Sequence, residues 1–189
     1  LIGGLGMGFT LRAALDVLGP KANVQVAELV PAVVEWNRGP LGDFSGRPLD
    51  DPRTRVYTGD VAKLMRRSHG CFDVITLDVD NGPEGLTRTE NDWLYGAGGL
   101  LSAPKALRKD GVLAVWSASP DRSFATRVRT MGFFVEEFGA RTWSRDASSR
   151  HTIWLATPQG ADADDDDEPD HRGKRARALD AGKPRRRVD

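Results

Sequence analysis

Four carboxylates stand where an α/β chain can put them to chemical use. Glu28 falls at the end of the apolar run "VQVAEL", Asp60 closes "RVYTGD", and Asp78 and Asp80 lie at the end of "FDVITLDVD". Upstream of all four is "GGLGMG", in which Gly4, Gly6 and Gly8 form a G-x-G-x-G run after a short apolar stub. Glycine lets a backbone approach a ligand closely and adopt positive φ. A helix that follows such a turn offers unpaired N–H groups at its start. A carboxylate about 20 residues past the glycines, as Glu28 is, can accept both hydroxyls of a bound ribose. One at a strand end can also accept the proton of an attacking nucleophile.

The glycine spacing narrows the ligand. The dinucleotide fingerprint G-x-G-x-x-G/A, counted from Gly4, requires Gly or Ala where Phe9 stands, and the P-loop pattern is absent. The shorter run suits a ligand of the S-adenosylmethionine type. Such a ligand lacks a pyrophosphate and carries a cationic sulfonium, which an acidic rim attracts. Metal chemistry is not expected. Cys71 is the single cysteine, and His69, His151 and His171 are scattered without ligand spacing.

These acids need a scaffold that brings strand ends together, and the chain alternates strand and helix as required. Strands are expected at 1–2, 24–29, up to about 60, 72–80 and 111–119, and helices at 10–18, 31–38, 61–67, 99–107 and 123–131. A closing pair of strands follows at 133–138 and 151–157. The strand at 72–80 reads as apolar on both faces, the mark of a strand buried between helix layers. Repeated βα units imply a parallel sheet with right-handed crossovers. The expected fold is thus α/β and Rossmann-like, doubly wound, with a mostly parallel sheet, helices on both faces and a C-terminal antiparallel strand pair. In open sheets of this kind ligands bind outside the carboxyl ends of the strands.

One such domain is expected over residues 1–158. Residues 159–189 are acidic ("ADADDDDEPD") and then basic ("HRGKRARALDAGKPRRR"), with almost nothing apolar to bury, and are read as disordered. The charged groups balance, 27 basic against 27 acidic, so the chain as a whole makes no electrostatic case for nucleic acid; only the basic end of the tail does. No apolar run reaches the roughly 20 residues that span a bilayer, and no signal peptide precedes the domain, which leads to the expectation of a cytoplasmic protein without a membrane partner. The first strand is unusually short, and the chain opens on Leu1. Upstream residues are therefore expected in the natural protein.

The segments "IGGLGMGFTLR", "VQVAEL", "DDPRTRVYTGD", "FDVITLDVDNGP" and "LRKDGVLAVWSASP", in this order and spacing, resemble the spermidine synthase (polyamine aminopropyltransferase) family of the class I methyltransferase superfold. The resemblance implies that Gly4, Gly6 and Gly8 line the co-substrate, that Glu28 holds its ribose and that Asp60 meets the adenine amino group. Asp78 would be the proton acceptor. Asp80 and Glu84, with Glu90 and Asp92, would hold a cationic substrate. The implied co-substrate is S-adenosylmethionine or its decarboxylated form. The implied reaction is transfer of an aminopropyl (or methyl) group to a small nucleophile, an amine, and relatives of this type commonly form homodimers.

The chain departs from the family pattern at several points. Met7 stands where an Asp of the glycine turn is usual, Asp78 and Asp80 are two apart rather than three, and Trp116 replaces a glutamine. The loop "RTWSRDASSR" is basic, with Arg141, Arg145 and Arg150 ill suited to a polycation, and the family's N-terminal β-domain has no counterpart in these residues. Trp93, Tyr95 and Trp116 are candidates for a substrate wall, or core aromatics. Three further readings stay open: a methyltransferase of another small substrate, a nucleoside-binding module without catalysis, and a nucleic-acid methyltransferase that uses its tail as an electrostatic arm.

Overall fold

The computed structural model describes residues 1–79, 82–83, 92–141 and 150–159. They belong to one compact unit, Leu1–Gln159. Seven strands form one sheet in the order β3-β2-β1-β4-β5-β7-β6. The strands are β1 (Ile2–Gly3), β2 (Val24–Glu28), β3 (Thr54–Thr58), β4 (Phe72–Leu77), β5 (Leu107–Ser117), β6 (Phe133–Arg141) and β7 (Arg150–Pro158). The first five run parallel, and β7 is antiparallel to both β5 and β6. The expected doubly wound sheet with a closing antiparallel pair is what forms, with β7 inserted between β5 and β6.

Side chains of a strand alternate between faces, so neighbouring residues feed two cores. Ile2, Val24 and Val26 pack with Leu11 and Leu15 of α1 (Phe9–Val17) and Val34 of α2 (Pro31–Arg38). Ala27 faces the other way, into the larger core. There α3 (Val61–Arg67), α5 (Ala97–Ala106) and α6 (Arg122–Thr130) cover Ile75, Leu77, Leu113, Val115 and Trp154. A four-residue helix, α4 (Asp92–Tyr95), was not expected from the sequence; it contributes Leu94 and Tyr95 to that core.

The strand at 72–80 was expected to be apolar on both faces and is shorter and less buried. β4 ends at Leu77, and Asp73 and Val74 are exposed. β1 flanks β4 from Val74 onward, through the hydrogen bonds Leu1 N to Val74 O and Thr76 N to Leu1 O. The first residues of β4 therefore have β5 alone as a neighbour, and Asp73 forms an ion pair with Arg108 on that strand at 2.7 Å.

The loop after α2 contains two 3₁₀ turns, Gly42–Ser45 and Pro48–Asp50. Arg53 ties its end to the C-terminus of α1. Its guanidinium donates to Leu18 O at 2.7 Å and pairs with Asp51 at 2.8 Å. The hydrogen bonds from Arg53 hold the Asp51 carboxyl down to about 2. No helix among the described residues is long and apolar enough to cross a membrane.

Candidate functional site

A cleft of about 620 Å³ opens at the carboxyl ends of the parallel strands, a volume usual for small-molecule sites. Its walls come from the β1–α1 turn, the β2–α2 junction, the β3–α3 junction and the ends of β4 and β5. The strand order reverses between β1 and β4. That is the point at which the connections on either side diverge and leave a crevice.

The glycine turn is shaped from below and from behind. Gly4 has φ +92°, and a Cβ there would lie 2.2 Å from Asp78 O; the turn can cross the end of β4 this closely because Gly4 has no side chain. Gly6 lines the cleft with open space around it. Gly8 is not on the cleft wall. It sits at the N-cap of α1, where a Cβ would meet Ser45 Oγ, Asn37 Oδ1 and Pro48 at 2.9–3.1 Å. The structure thus places Gly4 and Gly6 at the cleft and Gly8 behind it, packed on the loop after α2.

Glu28, 8% exposed, laces the turn together. Its Oε2 accepts from Leu5 N at 2.9 Å and its Oε1 from Val30 N at 2.8 Å. Glu28 lines the cleft with one backbone donor on each oxygen, and a carboxylate oxygen can accept more than one hydrogen bond. Because these bonds are charge-assisted and largely buried, Glu28→Gln is expected to lower stability by about 2 kcal/mol, since one N–H would then face the amide NH₂. Denaturant unfolding checks this; a loss under about 0.5 kcal/mol would mean that the turn holds its shape without the carboxylate.

Asp60 is the N-cap of α3, with Oδ1 accepting from Ala62 N at 2.8 Å. Its Oδ2 has no protein partner among the described residues. Asp78 follows β4, and its Oδ2 accepts a 2.6 Å hydrogen bond from Thr10 Oγ1 in the first turn of α1. The contact joins the glycine turn's helix to the end of β4 and fixes the carboxylate at the cleft. Asp80, Glu84 and Glu90 lie outside the described residues, as do Arg145 and the tail from residue 160. No group of three or more His, Cys, Asp and Glu is placed to hold a metal ion among the described residues.

The three candidate aromatics part company. Trp116 lines the cleft. Tyr95 is buried, its hydroxyl donating to Val79 O at 2.9 Å and its ring edge-on to Phe124. Trp93 lies under the Arg66 guanidinium, 4.4 Å from the ring centroid. Tyr95 is thus a core group that holds the chain just past β4, and Trp93 is a packing group.

Two residues of the site region were not singled out by sequence. Thr10 is one; nothing in its neighbourhood reveals a partner 68 residues away. Asn37 is the other. It is 1% exposed, and its Nδ2 donates to Gly6 O and Val33 O, both at 2.9 Å. A signal for it existed, since Asn is a poor helix former and here falls inside a helical run.

Comparison with known proteins agrees with this fold. No family model matches the chain. The polyamine aminopropyltransferase of Mycobacterium tuberculosis is 33% identical over 124 residues, covering 64% of this chain and 23% of that protein. The chain therefore spans about a quarter of that relative's length. A crystal structure of spermidine synthase in complex with the transition-state analogue AdoDATO superposes with TM-score 0.71 and 23% identity, over 82% of this chain and 53% of that one. Human methyltransferase-like protein 13 in complex with SAH superposes with TM-score 0.57 and 19% identity, over 84% of this chain and 71% of that one. The chain is spermidine synthase-like in sequence, and its fold is the Rossmann-like fold of these transferases.

Proposed function

We propose that this spermidine synthase-like chain is the co-substrate domain of a transferase that binds S-adenosylmethionine or its decarboxylated form and passes an aminopropyl group to a small amine. The observation that carries the reading is the position of Asp78, one carboxylate oxygen held by Thr10, in the same cleft as the glycine turn and Glu28. In this reading the backbone at Gly4 and Gly6 lies against the nucleoside, Glu28 accepts from the ribose hydroxyls, and the free oxygen of Asp60 accepts from the adenine amino group. The amine nitrogen attacks the carbon next to the sulfonium. The carbon–sulfur bond breaks, its electron pair stays on sulfur as a neutral thioether, and the proton leaves nitrogen for Asp78. The spermidine synthase complex with AdoDATO supports this reading by likeness of fold.

One observation favours a second reading, methyl transfer from S-adenosylmethionine. Met7 lines the cleft, so the glycine turn offers a thioether, not an acid, to the cationic amine of an aminopropyl group. The two forms differ in the α-carboxylate, which separates the readings. Calorimetric titration with each form side by side is expected to show preference for decarboxylated S-adenosylmethionine. Preference for the carboxylated form would install the methyl-transfer reading instead, and failure of both to bind would refute the two together.

A further inference from the structure

We propose, resting on the transferase reading above, that Asn37 is a positioning residue for the co-substrate: it holds Gly6 O behind the glycine turn and thereby aims the Met7 N–H into the cleft as a donor to the bound nucleoside. Asn37 belongs to α2, is 1% exposed and is not among the residues that line the cleft. Its Nδ2 donates to Gly6 O and to Val33 O, both at 2.9 Å. Only the NH₂ end of the amide can donate, so two carbonyl partners fix which way the amide faces. Of the two bonds, the one to Gly6 O leaves the helix and reaches the turn, 31 residues away in the chain.

The peptide plane carries the effect across the turn. In a trans peptide the C=O of one residue and the N–H of the next point in opposite directions. Gly6 and Met7 both line the cleft, and Met7 is 44% exposed. With Gly6 O turned toward the buried Asn37, the Met7 N–H turns toward the cleft. It has no hydrogen-bond partner among the described residues, so it is open to a ligand. Gly6 has φ +50°, and a Cβ there would meet nothing within 4 Å. Glycine leaves such a peptide the freedom to flip. Nothing crowds it into place at Gly6; the Asn37 bond selects its orientation.

Asn37 is a poor choice for stability alone. Asn is a weak helix former. Its buried Oδ1 has no partner among the described residues, and an acceptor taken from water without a partner is destabilising. A Cβ at Gly8 would stand 3.0 Å from the same Oδ1, and one at Gly42 would stand 2.4 Å from Asn37 O. The glycine turn and the loop after α2 therefore hold the residue from two sides. What the amide supplies in return is one fixed donor behind Gly6. A ligand-binding group held in place before the ligand arrives spares the cost of ordering it on binding. Ribose oxygens and ring nitrogens are the acceptors that an adenosine thioether or sulfonium offers to the Met7 N–H.

The test is calorimetric titration of the whole chain with 5′-methylthioadenosine, with hydrogen exchange of the Met7 amide followed by NMR. In the parent protein that amide is expected to gain protection on saturation with the nucleoside. Asn37→Ala is expected to weaken binding roughly five- to tenfold and to leave the Met7 amide unprotected at saturation. Asn37→Asp keeps the shape without the donor and is expected to weaken binding at least as much. Val128→Ala, in the larger core, is the control: it lowers the melting temperature and leaves the affinity within about twofold of the parent's. Three results each overturn the positioning role and leave the transferase reading standing: a nucleoside-bound parent with its Met7 amide unprotected, an Asn37→Ala protein that binds within about twofold of the parent, or a Val128→Ala protein that loses as much affinity as Asn37→Ala. The parent's Met7 amide tests the donor even where a variant does not fold. Absence of nucleoside binding to the parent overturns both readings.

Discussion

A Gly4→Ala protein is expected to lose about 3–5 kcal/mol of stability, the largest effect of any single methyl addition in the chain's glycine turn. Two costs add. The backbone at Gly4 has φ +92°, a conformation in which an L side chain is strained. The added carbon would also stand 2.2 Å from Asp78 O and 3.0 Å from the carbonyl carbon behind it. Those are backbone atoms of the β4 end, and they cannot swing aside as a side chain would. The strand end must shift, and Asp78 shifts with it.

Gly70 supplies the control. It too has positive φ, +57°, but a Cβ there meets nothing within 4 Å, so Gly70→Ala carries the strain alone, about 1–2 kcal/mol. Denaturant unfolding of the two variants, analysed by linear extrapolation, reads the difference directly. Equal losses would show that the close approach of Gly4 to Asp78 does not constrain the turn.

The Asp78→Asn protein is expected to keep its fold and lose its chemistry. Thr10 Oγ1 donates to Asp78 Oδ2, and an amide oxygen at the same place can accept that bond, so the cleft keeps its shape. What the amide cannot do is take a proton from an attacking amine. Turnover should fall by roughly 10²–10⁴-fold, the range for removal of a positioned general base. Binding of 5′-methylthioadenosine, whose sulfur is neutral, should persist. Single-turnover rates measured beside calorimetric affinities separate the two effects. Turnover within about tenfold of the parent would mean that Asp78 merely anchors the first turn of α1 and that proton transfer goes elsewhere. A loss of nucleoside binding in parallel would mean that the carboxylate holds the ligand itself.

These expectations rest on features that differ in how they are written in the chain. Local pattern carried much of the fold. The apolar period of α1 and the start of α2 at Pro31 are legible because helix faces and first turns have short-range signals, and α2 and α3 form over the residues that pattern indicated. The placement of Glu28, Asp60 and Asp78 at strand ends is legible for the same reason. Each falls at or just past the end of a strand-like run, and in an open parallel sheet every such end faces the same edge.

The structure decided what patterns of period 2 and 3.6 do not encode, namely which element lies beside which. Those periods tell a residue's face and not its neighbour. The insertion of β7 between β5 and β6 is a matter of sheet order. The bonds from Thr10 to Asp78 and from Asn37 to Gly6 cross 68 and 31 residues of chain, and no local signal names such a partner. The exposed start of β4 follows from how far β1 extends alongside it. Among the three candidate aromatics, Trp116 alone lines the cleft, at the end of β5 beside the end of β4, while Tyr95 and Trp93 are drawn into packing with Phe124 and Arg66. The sequence by itself determined that a glycine turn and the acids Glu28, Asp60 and Asp78 would meet at one edge of a parallel sheet. Tertiary packing alone decided which oxygen of each acid is held and which side chains face it, since long-range register is fixed by the whole sheet at once.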